Sequence, residues 1–295
     1  MFSRFDNTNL PFASVIVPTL NRKQLLGKCL KSLFRMDYPH SHFEVIVVDG
    51  GSTDGTMQMI HKDFPDVKFI LETKKGRPVA RNTGFKYAKG QIVAYTDDDC
   101  LVDKSWLKIL VSSFDSKEIG AVGGPLFLLH QSNSIRNRFK GTPMGDFYFG
   151  DEKLHGKELI TANLAVRRDV FEKNQFDETL IYDLEDIDFC KSLISNGYDI
   201  IYHPYAIVYH NINPQRLTII SALRRAFPAG ISFYIMERKR NQDSFLIAQL
   251  FRKFLGGLYQ FVLRRRFGDF FWVARCFIAF LTSIFLMAHR ENNTI

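Results

Sequence analysis

Three adjacent carboxylates, Asp97-Asp98-Asp99, follow the apolar run Ile92–Thr96 and are the sharpest chemical feature of the sequence. Neighbouring carboxylates repel one another, so such a run persists where a cation offsets the repulsion or water screens it. Hard oxygen ligands suit Mg²⁺ or Mn²⁺, which also bridge phosphate oxygens. Side chains of an extended segment alternate, so Asp97 and Asp98 cannot both face a metal in the same way. A solvated acidic turn is the competing reading. A second acidic cluster, Glu185-Asp186 followed by Asp188, opens a predicted helix. Acidic groups there gain from the helix dipole, and a positioned carboxylate can also take the proton of an attacking hydroxyl. His210 ends a strand-like segment and offers either a metal-ligating imidazole or a structural ring. Arg81 and Asn82 lie on a helix that follows Lys74, Lys75, Gly76 and Arg77. Basic groups near a helix N-terminus can face a diphosphate, whereas Lys74 and Lys75 also read as a solvated loop.

The elements that must hold these residues follow from apolar spacing. Ala13–Thr19 is a short apolar run closed by Pro18, a buried-strand pattern. Lys23–Phe34 carries Leu25, Leu26, Cys29, Leu30, Leu33 and Phe34 on one helical face. Phe43–Val48, Val67–Leu71 and Ile92–Thr96 are further strands, with helices over Thr53–His61 and Pro78–Tyr87 between them. Strands alternating with helices predict a parallel sheet flanked by helices, with ligands at the carboxyl ends of the strands. Thr19 and Asn21, Asp49, and Asp97–Asp99 all fall at those ends. Each alone also reads as a turn residue; together they mark one rim. Further on, Ile119–Leu129, Thr161–Arg167, Ile200–Tyr202 and Ile207–Tyr209 are extended, and Leu184–Ser195 is helical. These form a mixed-sheet region that would build an acceptor-side wall.

The segments Ser14–Arg22 (SVIVPTLNR), Glu44–Thr56 (EVIVVDGGSTDGT), Ala80–Gly84 (ARNTG), Ala94–Asp99 (AYTDDD) and Leu184–Asp188 (LEDID) stand in an order that resembles family 2 glycosyltransferases of the GT-A fold. The resemblance covers residues 12 to 212. It implies an α/β GT-A catalytic domain over 1–212, with a nucleotide-sugar half at 12–115 and an acceptor half at 116–212. It implies inverting transfer from a nucleotide-diphosphate sugar to a glycan or lipid-linked acceptor, with Mn or Mg as cofactor. Asp49 would contact the nucleoside base, with Pro18, Thr19 and Asn21 beside it. Asp97 would face the ribose, Asp98 and Arg81 would complete the donor site, and Asp99 and His210 would hold the metal. Asp186 would be the catalytic base, with Glu185 and Asn163 on the acceptor. One departure is visible: where the family often has Gly-Gly-Phe-Asp, this chain has Asn174-Gln175-Phe176-Asp177, a stiffer loop. Two rival readings are a nucleotidyltransferase and an inactive membrane-associated scaffold. The first wants a Gly-rich phosphate loop, which Pro18-Thr19-Leu20-Asn21 is not. Both acidic clusters argue against the second.

The 295 residues are 46% hydrophobic, enough for a sizeable core. Cys29, Cys100, Cys190 and Cys276 form no Cys-x-x-Cys pair and no disulfide framework, which fits a reducing compartment. The N-terminus lacks the apolar core of a cleavable signal. The net charge is +8, yet 13 Lys and Arg against 4 Asp and Glu lie from Asn211 onward, so the body is nearly neutral. A basic tail suits nucleic acid or an anionic membrane. Its composition favours the membrane. Ser221–Met236 and Ser244–Phe261 are apolar-rich with interspersed basic residues, and Arg264-Arg265-Arg266 precedes the apolar stretch Phe270–Ala288. That stretch can just span a bilayer, although Arg275 must snorkel. An interfacial amphipathic anchor is the favoured reading, with a single span and a packing helix as the alternatives. The expectation is a helical tail over 213–295 and a catalytic domain at the cytoplasmic face of a membrane.

Overall fold

The computed structural model describes residues 10–129, 146–181, 183–212 and 219–240, with isolated helical positions between 252 and 282. The chain forms two compact units: Met1–Phe127 with Tyr148–Asp177 and Asp186–Asn211, and Leu128–Phe147 with Glu178–Glu185 and Ile212–Ile295.

The first unit is built on an eight-stranded sheet. Strand β1 (Ala13–Thr19) is central and buried along its length apart from half-exposed Pro18. Parallel to it run β2 (Phe43–Asp49) on one side and β4 (Ile92–Tyr95) on the other, with Ala13 opposite both Phe43 and Ile92. Strand β3 (Lys68–Leu71) extends the edge beyond β2, also parallel. Helices α1 (Lys23–Leu33), α2 (Thr56–Asp63) and α3 (Arg77–Tyr87) make the crossovers. Continuous β-branched and aliphatic runs suit strands covered on both faces. The later strands β5 (Cys100–Val102), β6 (Ile119–Gly123), β7 (Leu126–Leu128), β8 (Leu154–His155), β9 (Leu164–Arg167), β10 (Asp199–Tyr202) and β11 (Val208–His210) complete the sheets.

The large sheet is ordered β3-β2-β1-β4-β9-β6-β10-β8. Its sense is mixed: β9 runs against both β4 and β6, and β8 runs against β10. The strands β1, β2, β3, β4, β6 and β10 nevertheless share one direction, so their carboxyl ends form one rim. The antiparallel β9 brings its amino end to that rim, where Thr96 Oγ1 donates to the Ala162 carbonyl at 3.0 Å. A second sheet, β5-β11-β7, pairs Cys100 with His210.

Several boundaries differ from the periodicity. The helix expected from Thr53 starts at Thr56, because Asp54 accepts hydrogen bonds from both the backbone and the hydroxyl of Thr56. The extended run expected over Thr161–Arg167 begins as a 3₁₀ turn, Thr161–Asn163. The short helices α4 (Trp106–Ser112) and α5 (Arg168–Phe171) carry no clear periodicity. Helix α6 (Glu185–Ser195) matches the expected acidic-headed helix.

In the second unit, α7 (Ile219–Arg240) runs through Pro228 and buries Ala229, Phe233, Met236 and Glu237 on one face. Among the described residues no helix is long and apolar enough to cross a membrane. Ser244–Phe261 and Phe270–Ala288 lie outside the described residues, save for the isolated positions.

Helix α3 seats on β1 through Gly84, where an added Cβ would lie 2.5 Å from Ile16 Cγ2. Gly84→Ala should therefore lower stability by about 2 kcal/mol, the scale of an overpacked core. A urea midpoint equal to that of the wild type would contradict this close seating.

Candidate active site

The rim gathers its side chains because consecutive parallel strands end there. Strand β1 delivers Thr19, then Leu20, Asn21 and Arg22 before α1 begins. Asn21 adopts φ +53°, the left-handed region that Asn tolerates. Its Oδ1 accepts from the Thr53 backbone at 2.8 Å, and its own N–H donates to Ser52 Oγ at 2.7 Å. The loops after β1 and β2 are thereby stitched together. Asp49, 2% exposed, closes the second loop by accepting from the Ser52 hydroxyl at 2.6 Å.

Strand β4 delivers the three carboxylates, and each takes a different partner. Asp97 accepts from Arg81 Nη2 at 2.9 Å. Asp98 accepts from Thr19 Oγ1 at 2.8 Å and from Arg22 Nη1 at 2.8 Å. Asp99 receives the same Arg22 nitrogen at 2.8 Å on one oxygen and faces His210 Nε2 at 3.2 Å on the other. Burial pushes the Asp98 carboxyl up to about 6, with Arg22 opposing that shift and Asp99 adding to it. Burial acts to lower the Arg22 guanidinium, but Asp98 and Asp99 outweigh it and raise its affinity for the proton. A buried carboxylate so placed gains from any added positive charge.

The residues present fit a divalent cation. The 3.2 Å between Asp99 Oδ1 and His210 Nε2 is close to the about 3.0 Å edge of an octahedron with bonds of about 2.1 Å. His210 Nδ1 is buried without a hydrogen-bond partner, so Asp99 alone does not complete the bonding of the ring. Cys100 lies in the same cluster, but burial holds its thiol well above the usual range, and a neutral thiol is a poor ligand. Asp99 and His210 are thus the better pair, joined because β11 lies antiparallel to β5 and Asn211 N–H donates to the Asp99 carbonyl at 2.7 Å.

Asp186 reaches the same rim from α6. Its Oδ2 accepts from the Thr161 N–H at 3.4 Å and its Oδ1 from the Ile187 N–H at 2.8 Å. Thr161 adjoins Ala162, whose carbonyl receives Thr96, the residue before Asp97. The half-buried Asp186 is therefore linked to the acidic run through two hydrogen bonds and a short stretch of backbone. Glu185 starts the helix and is itself buried.

Two expected roles need correction. Arg81 does not face a diphosphate: it is 0% exposed, and its guanidinium holds Asp97 from within. Its neighbour Asn82 exchanges two hydrogen bonds with the Phe176 backbone, which anchors the loop that replaces the glycine run. Asn163 does not line an acceptor surface. Its oxygen accepts from Trp106 Nε1 at 2.8 Å, and both amide hydrogens go to the Pro125 and Ala206 carbonyls at 2.9 and 2.7 Å. It is a buried brace joining β9, α4 and the loops after β6 and β10. Arg22 is the residue whose role the sequence reading missed. The need of three adjacent carboxylates for a nearby cation was the available signal.

Residues 14–174 match Glycosyl transferase family 2. The chain is 31% identical over 219 residues to glycosyltransferase AglE of Haloferax volcanii, covering 70% of this chain and 69% of that one. It is 25% identical over 245 residues to a dolichyl N-acetyl-alpha-D-glucosaminyl phosphate 3-beta-D-2,3-diacetamido-2,3-dideoxy-beta-D-glucuronosyltransferase of Methanococcus voltae, covering 77% and 74%. Among solved structures, a mannosyltransferase of Pyrobaculum calidifontis in complex with GDP-Man and Mn²⁺ superposes with a TM-score of 0.64 at 21% identity, covering 93% of this chain and 88% of that one. That likeness concerns the fold.

Asp99→Ala should leave the protein folded and weaken Mn²⁺ binding, measured by calorimetry, by roughly tenfold or more. Wild-type affinity in the variant would place the cation elsewhere.

Proposed function

The chain belongs to glycosyl transferase family 2 and is a nucleotide-sugar-dependent glycosyltransferase; from that premise we propose that it inverts the anomeric centre in a single displacement, with Asp186 as base and a lipid-linked glycan as acceptor. The observation that carries this reading is the convergence of Asp186 and the Asp97–Asp99 run on one rim through Thr161 and Thr96. A single displacement needs a base on the acceptor side and positive charge on the leaving-group side; in this reading Asp186 is the base, and a divalent cation held at the acidic run would supply the charge.

The donor's nucleoside lies along the loops after β1 and β2, beside Thr19, Asn21 and Asp49. Asp97, the most exposed of the three carboxylates, turns toward the ribose. Asp99 and His210 would hold Mn²⁺ or Mg²⁺, which would supply charge neutralisation for the leaving diphosphate. The P. calidifontis neighbour carries Mn²⁺ with its nucleotide sugar, which supports the same cofactor here. Asp186 accepts the proton of the acceptor hydroxyl as the new glycosidic bond forms and the bond to the diphosphate breaks. Glu185 helps to shape the acceptor side from the same helix. The M. voltae relative is named for a dolichyl-linked substrate, which supports a lipid-linked acceptor for this chain.

A lipid-linked acceptor places the work at a membrane surface, and the tail is the anchor in this reading. Its excess of Lys and Arg suits an anionic leaflet, each adding on the order of 1 kcal/mol near the surface. Leu255, Phe277 and Leu281 are exposed apolar side chains, and the last two share a helix face.

Asp186→Asn should slow transfer by roughly 10²-fold or more while nucleotide-sugar affinity stays within a factor of two, the pattern of a lost base. Near wild-type turnover would move the base to another residue. Removing Ser244–Ile295 should release the protein from membranes and spare nucleotide binding. A full-length protein found wholly in the soluble fraction without detergent would sink the anchor.

A further inference from the structure

A group of aromatic side chains beside the carboxyl end of β10 has no part in the chemistry derived above. Tyr148, Phe149 and Tyr205 are 42%, 42% and 53% exposed, and Tyr148 lies within electrostatic reach of Tyr202 and Tyr205. The group is built rather than incidental. Beneath it lies buried Tyr202, whose hydroxyl accepts from the Phe149 N–H at 3.3 Å and donates to the Gly150 carbonyl at 3.3 Å. Gly150 turns the chain with φ +122°, a conformation that a side chain would strain. The Phe149 ring meets Tyr202 edge-on at 5.2 Å, Tyr148 leans on Phe127 at 5.5 Å, and Tyr205 neighbours His203 at 5.9 Å. The Tyr148 hydroxyl donates to Asp151, and Lys157 Nζ stands 5.6 Å from the Phe149 ring.

We infer that Tyr148, Phe149 and Tyr205 form a stacking subsite for a pyranose ring of the acceptor, one that binds the acceptor away from the reacting hydroxyl. This rests on the glycosyl-transfer reading. Location is the first argument. Strand β10 is parallel to β4, so its carboxyl end opens on the same rim as Asp97–Asp99. It stands three strand spacings away, roughly 14 Å, within the reach of a short oligosaccharide. Chemistry is the second. The apolar C–H face of a pyranose matches an aromatic ring, and its equatorial hydroxyls need polar partners around the edge. Asp151, Glu152, Lys153, Lys157 and Glu158 supply donors and acceptors of both signs. That balanced charge suits a neutral polyhydroxylated ligand and gives an anionic bilayer no net attraction. Tyr202 is a positioning residue that fixes the loop bearing two of the three rings.

The test uses the full-length protein in detergent and four hexyl pyranosides, those of glucose, galactose, mannose and N-acetylglucosamine. Saturation-transfer NMR should show at least one binding, and Phe149→Ala and Tyr205→Ala should each weaken it by roughly 5-fold. Tyr205→Phe, which keeps the ring, should stay within two-fold of the wild type. Tyr202→Phe should weaken binding without touching the sugar. UDP and GDP binding with Mn²⁺ should be unchanged in every variant, and its loss from the wild type would instead strike the catalytic reading. The subsite is overturned if no pyranoside binds the wild type, or if the alanine variants bind as well as it does. It is equally overturned if those variants lose phosphatidylglycerol vesicle binding while keeping the pyranoside, which would make the surface a membrane contact.

Discussion

Three carboxylates on consecutive residues repel one another, and the architecture of the rim is organised around separating and neutralising them. Asp97 follows the end of β4, Asp98 and Asp99 sit in the turn that leads to β5, and Arg81 meets Asp97 from inside the fold. Arg22 bridges Asp98 and Asp99 with one nitrogen, and His210 closes on the remaining oxygen of Asp99. Each of these partners comes from a different element: α3, the β1–α1 loop and β11. The sheet order and the antiparallel placement of β11 are thus tied to one electrostatic requirement. Burial pushes the Asp98 carboxyl up to about 6, with Arg22 opposing that shift.

The parallel half was legible in the sequence because its strands are buried on both faces. Continuous apolar runs such as Ser14–Val17 and Val45–Val48 can only be interior strands, and the polar residues that end them can only lie at the rim. The acidic run follows the end of such a strand, whereas Asp186 heads a helix and its assignment as base rested on the family resemblance. Arg81 was read as a basic group facing a diphosphate and Asn163 was placed on the acceptor by the family resemblance, and both side chains are buried. Their hydrogen-bonding groups are spent on partners 16 to 57 residues away, which no local pattern encodes. The reversed sense of β9 was likewise illegible, since an apolar strand reads the same in either direction. Arg22 went unnoticed because its importance comes from Asp98 and Asp99, which are distant in sequence and adjacent only once β1 and β4 pair.

The candidate site residues and the excess positive charge are separated along the chain. The donor-side carboxylates, His210 and Asp186 all precede Asn211, whereas the excess positive charge follows it. Asn163 illustrates how the two acidic clusters are kept in register. By holding Pro125, Ala206 and Trp106 together it braces the start of β9, and β9 positions Thr161 against Asp186.

Stereochemistry tests the mechanistic account most directly. One displacement with Asp186 as base and a diphosphate leaving group must invert the anomeric carbon of the donor sugar. The anomeric configuration of the first-formed product, read from its one-bond carbon–proton coupling by NMR, should therefore be opposite to that of the α- or β-linked donor used. A product with the donor's own configuration would require two displacements or front-side attack, and would contradict the role given to Asp186.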